Sequence, residues 1–390
     1  MKNIKAFLVA LALFVVTLGG VHLLMNRTLP AEGIKYATWT DYAKNSCTQA
    51  LQKLASNPDS MLVFGSSELK HGIESGFHGD TIFDGTDMQP VFIGRAGYQC
   101  LTHAITLASL KDGTANQKVV LIVSPQWFKK KGVSSNAFET TFSEDNFIAM
   151  LENSSISEET RDYIINRTQQ IVSDNDVMAE RIGRDITWYN VNEPDKAGGL
   201  LADAHKAFIE EKSRYALTCK ALVTGEWQKT EPITARSLGD NDWQQLYRQA
   251  GEQGKTLCGN NSYGMYDKAY KNTYAPLMKA GKHKNPKYNT DSMEFDDLEC
   301  FLKVCKDEGI KPMLVILPFN GYWYDYSGLT QEKRQAFYEK TKSLAIEYGA
   351  TCADMSAEEY ATCFFEDNSH PALKGLVEMN EKIYEFYRAD

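Results

Sequence analysis

A run of 20 residues without an ionised side chain, Ala6 to Met25, opens the hydrophobic pattern of the chain. That is about the length needed to cross ~30 Å of hydrocarbon as a helix. Lys2 and Lys5 precede it, Arg27 follows, and no acid appears before Glu32, so the flanking charge favours an inside N-terminus only weakly. The run exceeds the ~7–15 apolar residues of a signal-peptide core, and no small-x-small site follows Met25. Both features favour an uncleaved anchor over a cleaved signal. On either reading the rest of the chain is exported.

Beyond the anchor the apolar positions change character. Met61–Phe64, Val91–Ile93, Val119–Val123, Met313–Leu317 and, more weakly, Ala350–Met355 are short runs that do not alternate with polar residues. Helical periodicity fills Tyr42–Leu54, the stretch from Gly97 to Leu110, and Leu373–Arg388. Short, continuously apolar strands separated by helices predict an α/β fold whose parallel sheet is covered on both faces. About 190 residues separate the third run from the fourth, far more than one crossover needs. Glu158–Ile182, Leu200–Leu222 and Asp240–Gln253 have helical spacing there, and Tyr263–Lys287 is rich in Tyr, Lys and Asn. This predicts a large helical insertion at about 129–295.

Composition narrows the function classes. The 390 residues are 43% hydrophobic and 24% charged, which excludes wholesale disorder, collagen and coiled coil. The net charge of −9, without a basic run, argues against nucleic acid as a partner. Eight cysteines in an exported chain admit disulfides. None of their spacings resembles a zinc site, and the plainer expectation is small buried thiols in a reducing environment.

In a parallel sheet, sites form in the loops beyond the C-terminal strand ends. Those loops here hold Gly65-Ser66-Ser67-Glu68, Gly94–Gly97, Pro125-Gln126-Trp127 and Pro318-Phe319-Asn320-Gly321. A serine at a strand-to-helix turn can present its hydroxyl beside backbone N–H groups that hold an oxyanion. Near the C-terminus, Asp367-Asn368-Ser369-His370 lets one turn supply a base and the carboxylate that fixes its tautomer. Each piece also has a plainer reading: a helix cap for Ser67 or Asp367, a turn glycine for Gly97, a surface amide for Gln126.

Taken together and in order, these pieces resemble the SGNH/GDSL hydrolases. That resemblance implies an SGNH-hydrolase-like parallel sheet flanked by helices, with Ser67 as nucleophile, His370 and Asp367 completing a triad, and Gly97 and Gln126 lining an oxyanion hole. Two departures stand out: Gly65-Ser66-Ser67-Glu68 replaces G-D-S-L, and Gln126 replaces Asn.

A closer resemblance runs along almost the whole chain. The apolar segment, VFGSSELK (63–70), GRAGYQ (94–99), SPQWF (124–128), DDLECFL (296–302), PFNGYWYDYSG (318–328) and DNSHP (367–371) together resemble the DltD family of D-alanine-transfer proteins. The resemblance implies an anchor over 1–26 and an outward-facing SGNH-like domain over 27–390, in the cell membrane of a Gram-positive organism. It implies esterification of lipoteichoic acid with D-alanine, taken from a carrier protein or a membrane intermediate, alongside other Dlt membrane proteins. Glu68 is then a candidate for the D-alanyl ammonium, and Asn320, Tyr322, Trp323 and Tyr326 for the wall of an acceptor groove. Two further readings stay open: an esterase or O-acetyltransferase of another envelope polymer, and a non-catalytic adaptor for the D-alanyl carrier. No cofactor is expected, since Walker A, H-E-x-x-H, G-x-G-x-x-G and EF-hand patterns are absent.

Overall fold

A computed structural model describes residues 2–28, 34–111, 113–192, 199–225, 236–282 and 288–389. The junction 29–33 behind the apolar segment and the 283–287 end of the Tyr-rich stretch lie outside them. Five strands form one parallel sheet in the order β2-β1-β3-β4-β5. They are β1 Ser60–Phe64, β2 Gln89–Ile93, β3 Lys118–Val123, β4 Lys311–Ile316 and β5 Thr351–Asp354. Each of the five apolar runs read from the sequence is therefore a strand.

The strands lack polar alternation because both faces are buried. Leu62, Phe64, Val91, Ile93, Val119 and Leu121 point into one core, packed under helices that include Cys100–Ala108 and Glu294–Asp307. Their neighbours Met61, Val63, Phe92, Val120 and Ile122 point into a second core, which holds Leu373–Arg388 and Asp240–Leu257. Residue parity alone assigns each side chain to its layer.

Strand order reverses between β1 and β3, which opens a crevice at their C-terminal ends. There the backbones of the first two loops nearly touch. A Cβ on Gly94 would stand 1.8 Å from the Gly65 carbonyl oxygen, at φ +131, so only glycine fits.

The helices depart from expectation where local caps intervene. The single helix expected over Tyr42–Leu54 is two, Tyr42–Asn45 and Thr48–Ala55, with Ser46 Oγ turned back onto Tyr42 O. Glu158–Ile182 is likewise divided into Glu158–Val172 and Asp176–Tyr189, because Asn175 caps the second at Met178 N. The first helix, Lys2–Thr28, contains one span, Ile4–Leu23, long and apolar enough to cross a membrane and unburied by the rest of the chain. His22 near its end meets Glu211 of the helix Gly199–Thr224 at 3.0 Å.

The cysteines correct the expectation of free thiols throughout. Cys258 and Cys363 form a disulfide, with Cα atoms 5.7 Å apart. Cys47, Cys100, Cys300 and Cys305 are buried free thiols, Cys352 is half-buried and Cys219 is exposed.

Candidate active site

β1 ends at Phe64, and the chain turns through Gly65 and Ser66 into the short 3₁₀ turn Ser67–Lys70. The two adjacent serines then separate. Ser66 is buried, its Oγ donating to Arg95 O at 3.3 Å, whereas Ser67 is half-buried with Oγ 2.7 Å from His370 Nε2.

His370 sits on the turn that precedes Leu373–Arg388. Its Nδ1 lies 2.8 Å from Asp367 Oδ2. A carboxylate only accepts, so Nδ1 carries the proton and Nε2 of the neutral ring faces the serine as an acceptor. Asp367 Oδ1 also accepts the backbone N–H groups of Ser369 and His370, at 2.8 and 2.9 Å. Burial alone would lower the His370 pKa, but the hydrogen bond and charge of Asp367 outweigh it and the net shift is upward. Asp367 shows the converse: burial raises its pKa, His370 pulls it down, and the carboxyl ends below its ordinary value.

The third loop packs beside this pair. Ser369 Oγ donates to Gln126 Oε1 at 3.4 Å, bringing the amide beside the D-N-S-H turn. Gly97 closes the 94–97 turn with φ +96, where Tyr98 N donates to Arg95 O. Tyr274 from the insertion and Tyr324 grip Asn368: Tyr274 OH donates to Asn368 Oδ1 at 2.7 Å, and Tyr324 OH accepts from its Nδ2 at 3.3 Å. The insertion thus reaches the histidine turn directly.

Three candidate substrate residues lie elsewhere than expected. Glu68 is 1% exposed, and its Oε1 accepts the Ser66 N–H at 2.6 Å. It braces the turn from inside instead of facing an incoming ammonium, and burial raises its pKa. Asn320 is fully buried: its Oδ1 caps the helix Gly321–Ser327 at Trp323 N, and its Nδ2 holds Tyr263 O and, at 3.4 Å, Asp367 O. Trp323 is buried against Tyr274, ring centroids 4.5 Å apart. Tyr322 and Tyr326 do reach the surface. The DDLECFL segment is also structural, since Asp297 is buried in an ion pair with Arg167 of the insertion, at 3.0 Å.

Sequence reading missed a second histidine. His71, four positions after Ser67, stacks on His370 with ring centroids 3.8 Å apart and planes 11° apart. Its Nδ1 lies 2.8 Å from Glu366 Oε2. The pair spans 295 positions, and no local spacing announces it. His71, Glu366 and Pro371 also wall a cavity of about 670 Å³, together with Lys70, Gln253 and Tyr266.

Among the described residues one group has the spacing of metal ligands: Glu144, Asp185 and His205, in the insertion. Arg184 bridges both carboxylates at 2.7 Å, and Arg181 and Lys212 lie within 4.0 Å of Glu144. Cationic side chains already supply the charge a metal ion would bring.

A family model described as "DltD protein" matches residues 37–388. Protein DltD of Bacillus subtilis (strain 168) is 30% identical over 344 residues, which cover 86% of this chain and 84% of that protein. Protein DltD of Staphylococcus aureus (strain NCTC 8325 / PS 47) is 26% identical over 328 residues, covering 82% and 79%. Protein DltD of Lacticaseibacillus rhamnosus is 25% identical over 335 residues, covering 83% and 76%.

Proposed function

The chain belongs to the DltD family, and from that premise we propose that it is a membrane-anchored serine acyltransferase that passes D-alanyl groups to lipoteichoic acid outside the cell. The observation that carries the reading is the unbroken relay from Ser67 Oγ through the His370 ring to the Asp367 carboxylate. His370 Nε2 takes the Ser67 proton as Oγ attacks the carbonyl of an activated D-alanyl ester or thioester. The bond to the donor's oxygen or sulfur breaks, the donor leaves with the proton held by His370, and the acyl group stays on Ser67. An acceptor hydroxyl, deprotonated in turn by His370, attacks the acyl-enzyme; the acyl–Oγ bond breaks, and Ser67 leaves with the proton that His370 returns. The Ser67 and Gly97 N–H groups, with the Gln126 amide, hold the oxyanion in both steps. The donor is a carrier protein or membrane intermediate, and the other Dlt membrane proteins work beside this one.

In this reading residues 1–26 anchor the chain, 27–390 face outward, and the insertion at about 129–295 braces the histidine turn through Tyr274. The assembled relay argues against a mere adaptor. An esterase or O-acetyltransferase of another envelope polymer draws on one observation: the burial of Glu68 removes the carboxylate that the sequence offered to an ammonium.

The test is genetic. In cells lacking the native protein, Ser67→Ala and His370→Ala should each abolish polymer-bound D-alanyl ester with protein levels unchanged. Ser66→Ala should be far milder. Wild-type ester content with Ser67→Ala would end the enzyme reading.

A further inference from the structure

The loop that supplies Ser67 also supplies His71, and the turn that supplies His370 and Asp367 also supplies Glu366. The two segments therefore cross-connect twice, through Ser67–His370 and through His71–Glu366, at 2.7 and 2.8 Å. Glu366 N donates to His370 O at 2.8 Å and Tyr266 N to Glu366 O at 3.1 Å, so the second carboxylate rides on a backbone as fixed as the first. The outcome is two histidine–carboxylate pairs lying ring on ring.

Asp367 alone leaves the His370 ring one freedom. Hydrogen bonds at Nδ1 and Nε2 fix the imidazole within its plane more tightly than they resist a small rotation that tilts it out of that plane. A planar side chain against the ring face removes that rotation. His71 fills this position, and Glu366 prevents His71 from swinging away.

We propose that His71 is a positioning residue for His370, holding its plane for proton transfer from Ser67 and offering its own ring face to the imidazolium formed during acyl transfer. This rests on the Ser67–His370 reading above. A cation over an aromatic face is favoured, and most strongly where water is excluded. His370 is faced by Asp367 and Glu366 from its own turn and by Glu68 and His71 from the serine loop, with the Tyr274 and Tyr324 hydroxyls beyond Asp367.

The test is the rate at which a fluorophosphonate labels Ser67 in the full-length protein in detergent, from acid to alkaline pH. His71→Ala and His71→Leu, the latter filling the volume without a ring, should slow labelling about 5- to 30-fold, the range such a ring contact supports. His71→Phe keeps a flat face and should stay within about threefold of wild type, which a merely space-filling role does not predict. Glu366→Gln removes a carboxylate facing the imidazolium and should move the acid limb of the labelling profile to lower pH. Labelling of His71→Leu at the wild-type rate, or of His71→Phe as slowly as His71→Leu, would overturn the proposal. A wild-type protein that is not labelled at Ser67 would instead sink the enzyme reading on which it rests.

Discussion

The disulfide gives the structure its largest single mechanical prediction. Cys258 follows the helix Asp240–Leu257, and Cys363 stands four residues ahead of Asp367, so the bond ties the insertion to the segment leading into the histidine turn. The sequence separation is 105. Closing a loop of that size in the unfolded chain costs about 4.7 kcal/mol of conformational entropy at 25 °C, and measured effects run from about 2 to 5. With an unfolding entropy of about 2.1 cal/mol/K per residue over the ~350 residues of the folded domain, this corresponds to about 3–7 °C in Tm. The double replacement Cys258→Ala, Cys363→Ala should therefore lower the Tm of the oxidised protein by that amount and move its urea midpoint to lower concentration. Thiol titration of unfolded, unreduced wild type should find the six free cysteines and gain two on reduction. Eight reactive thiols before reduction, or an unchanged midpoint in the double variant, would refute the pairing.

Three other outcomes follow from the site. Glu68→Gln retains an acceptor for the Ser66 N–H and removes a buried carboxyl whose pKa is raised, a group that opposes folding above its unfolded pKa. Thermal melts at neutral pH should therefore show equal or greater stability, and turnover of D-alanyl and acetyl esters should change by one common factor. Asn320→Ala loses a helix cap and the donors to two carbonyls, about 2–4 kcal/mol in all, and should lower kcat with KM unchanged by loosening Asp367. A raised KM at unchanged stability would make Asn320 a substrate contact instead. The proposed mechanism needs His370 neutral, so on it kcat/KM should climb with pH through a limb above ~6.5, the ordinary histidine value. The raised His370 pKa adds stability that is complete below ~6.5 and lost as pH rises through the folded value; the lowered Asp367 pKa adds stability present above ~3.9 and lost as pH falls through its folded value. Asp367→Asn should move the kinetic limb to lower pH.

The strands were legible because a sheet buried on both faces leaves a signature that few other elements share. Met61–Phe64 differs from the observed β1 by one residue. Helix ends were less so, although the Ser173-Asp174-Asn175 stretch that divides Glu158–Val172 from Asp176–Tyr189 is a turn signal in its own right. The contacts that join Ser67, His370 and Asp367 were readable because the proposed chemistry would prescribe both residue type and loop. Asn320, Glu68 and Trp323 were not, because a polar or aromatic residue next to a site serves equally well as an internal brace, and only burial tells the two apart. The Cys258–Cys363 bond and the His71–Glu366 pair join segments 105 and 295 positions apart, beyond any local pattern.

The central claim is that Ser67 carries the acyl group. The most direct measurement is to quench the full-length protein in acid during turnover with an activated D-alanyl thioester and to map the adduct by peptide mass spectrometry. The account predicts one alanyl group on the peptide containing Ser67, absent in Ser67→Ala and unaffected in Ser66→Ala. An adduct on another residue, or sustained transfer by Ser67→Ala, would contradict it.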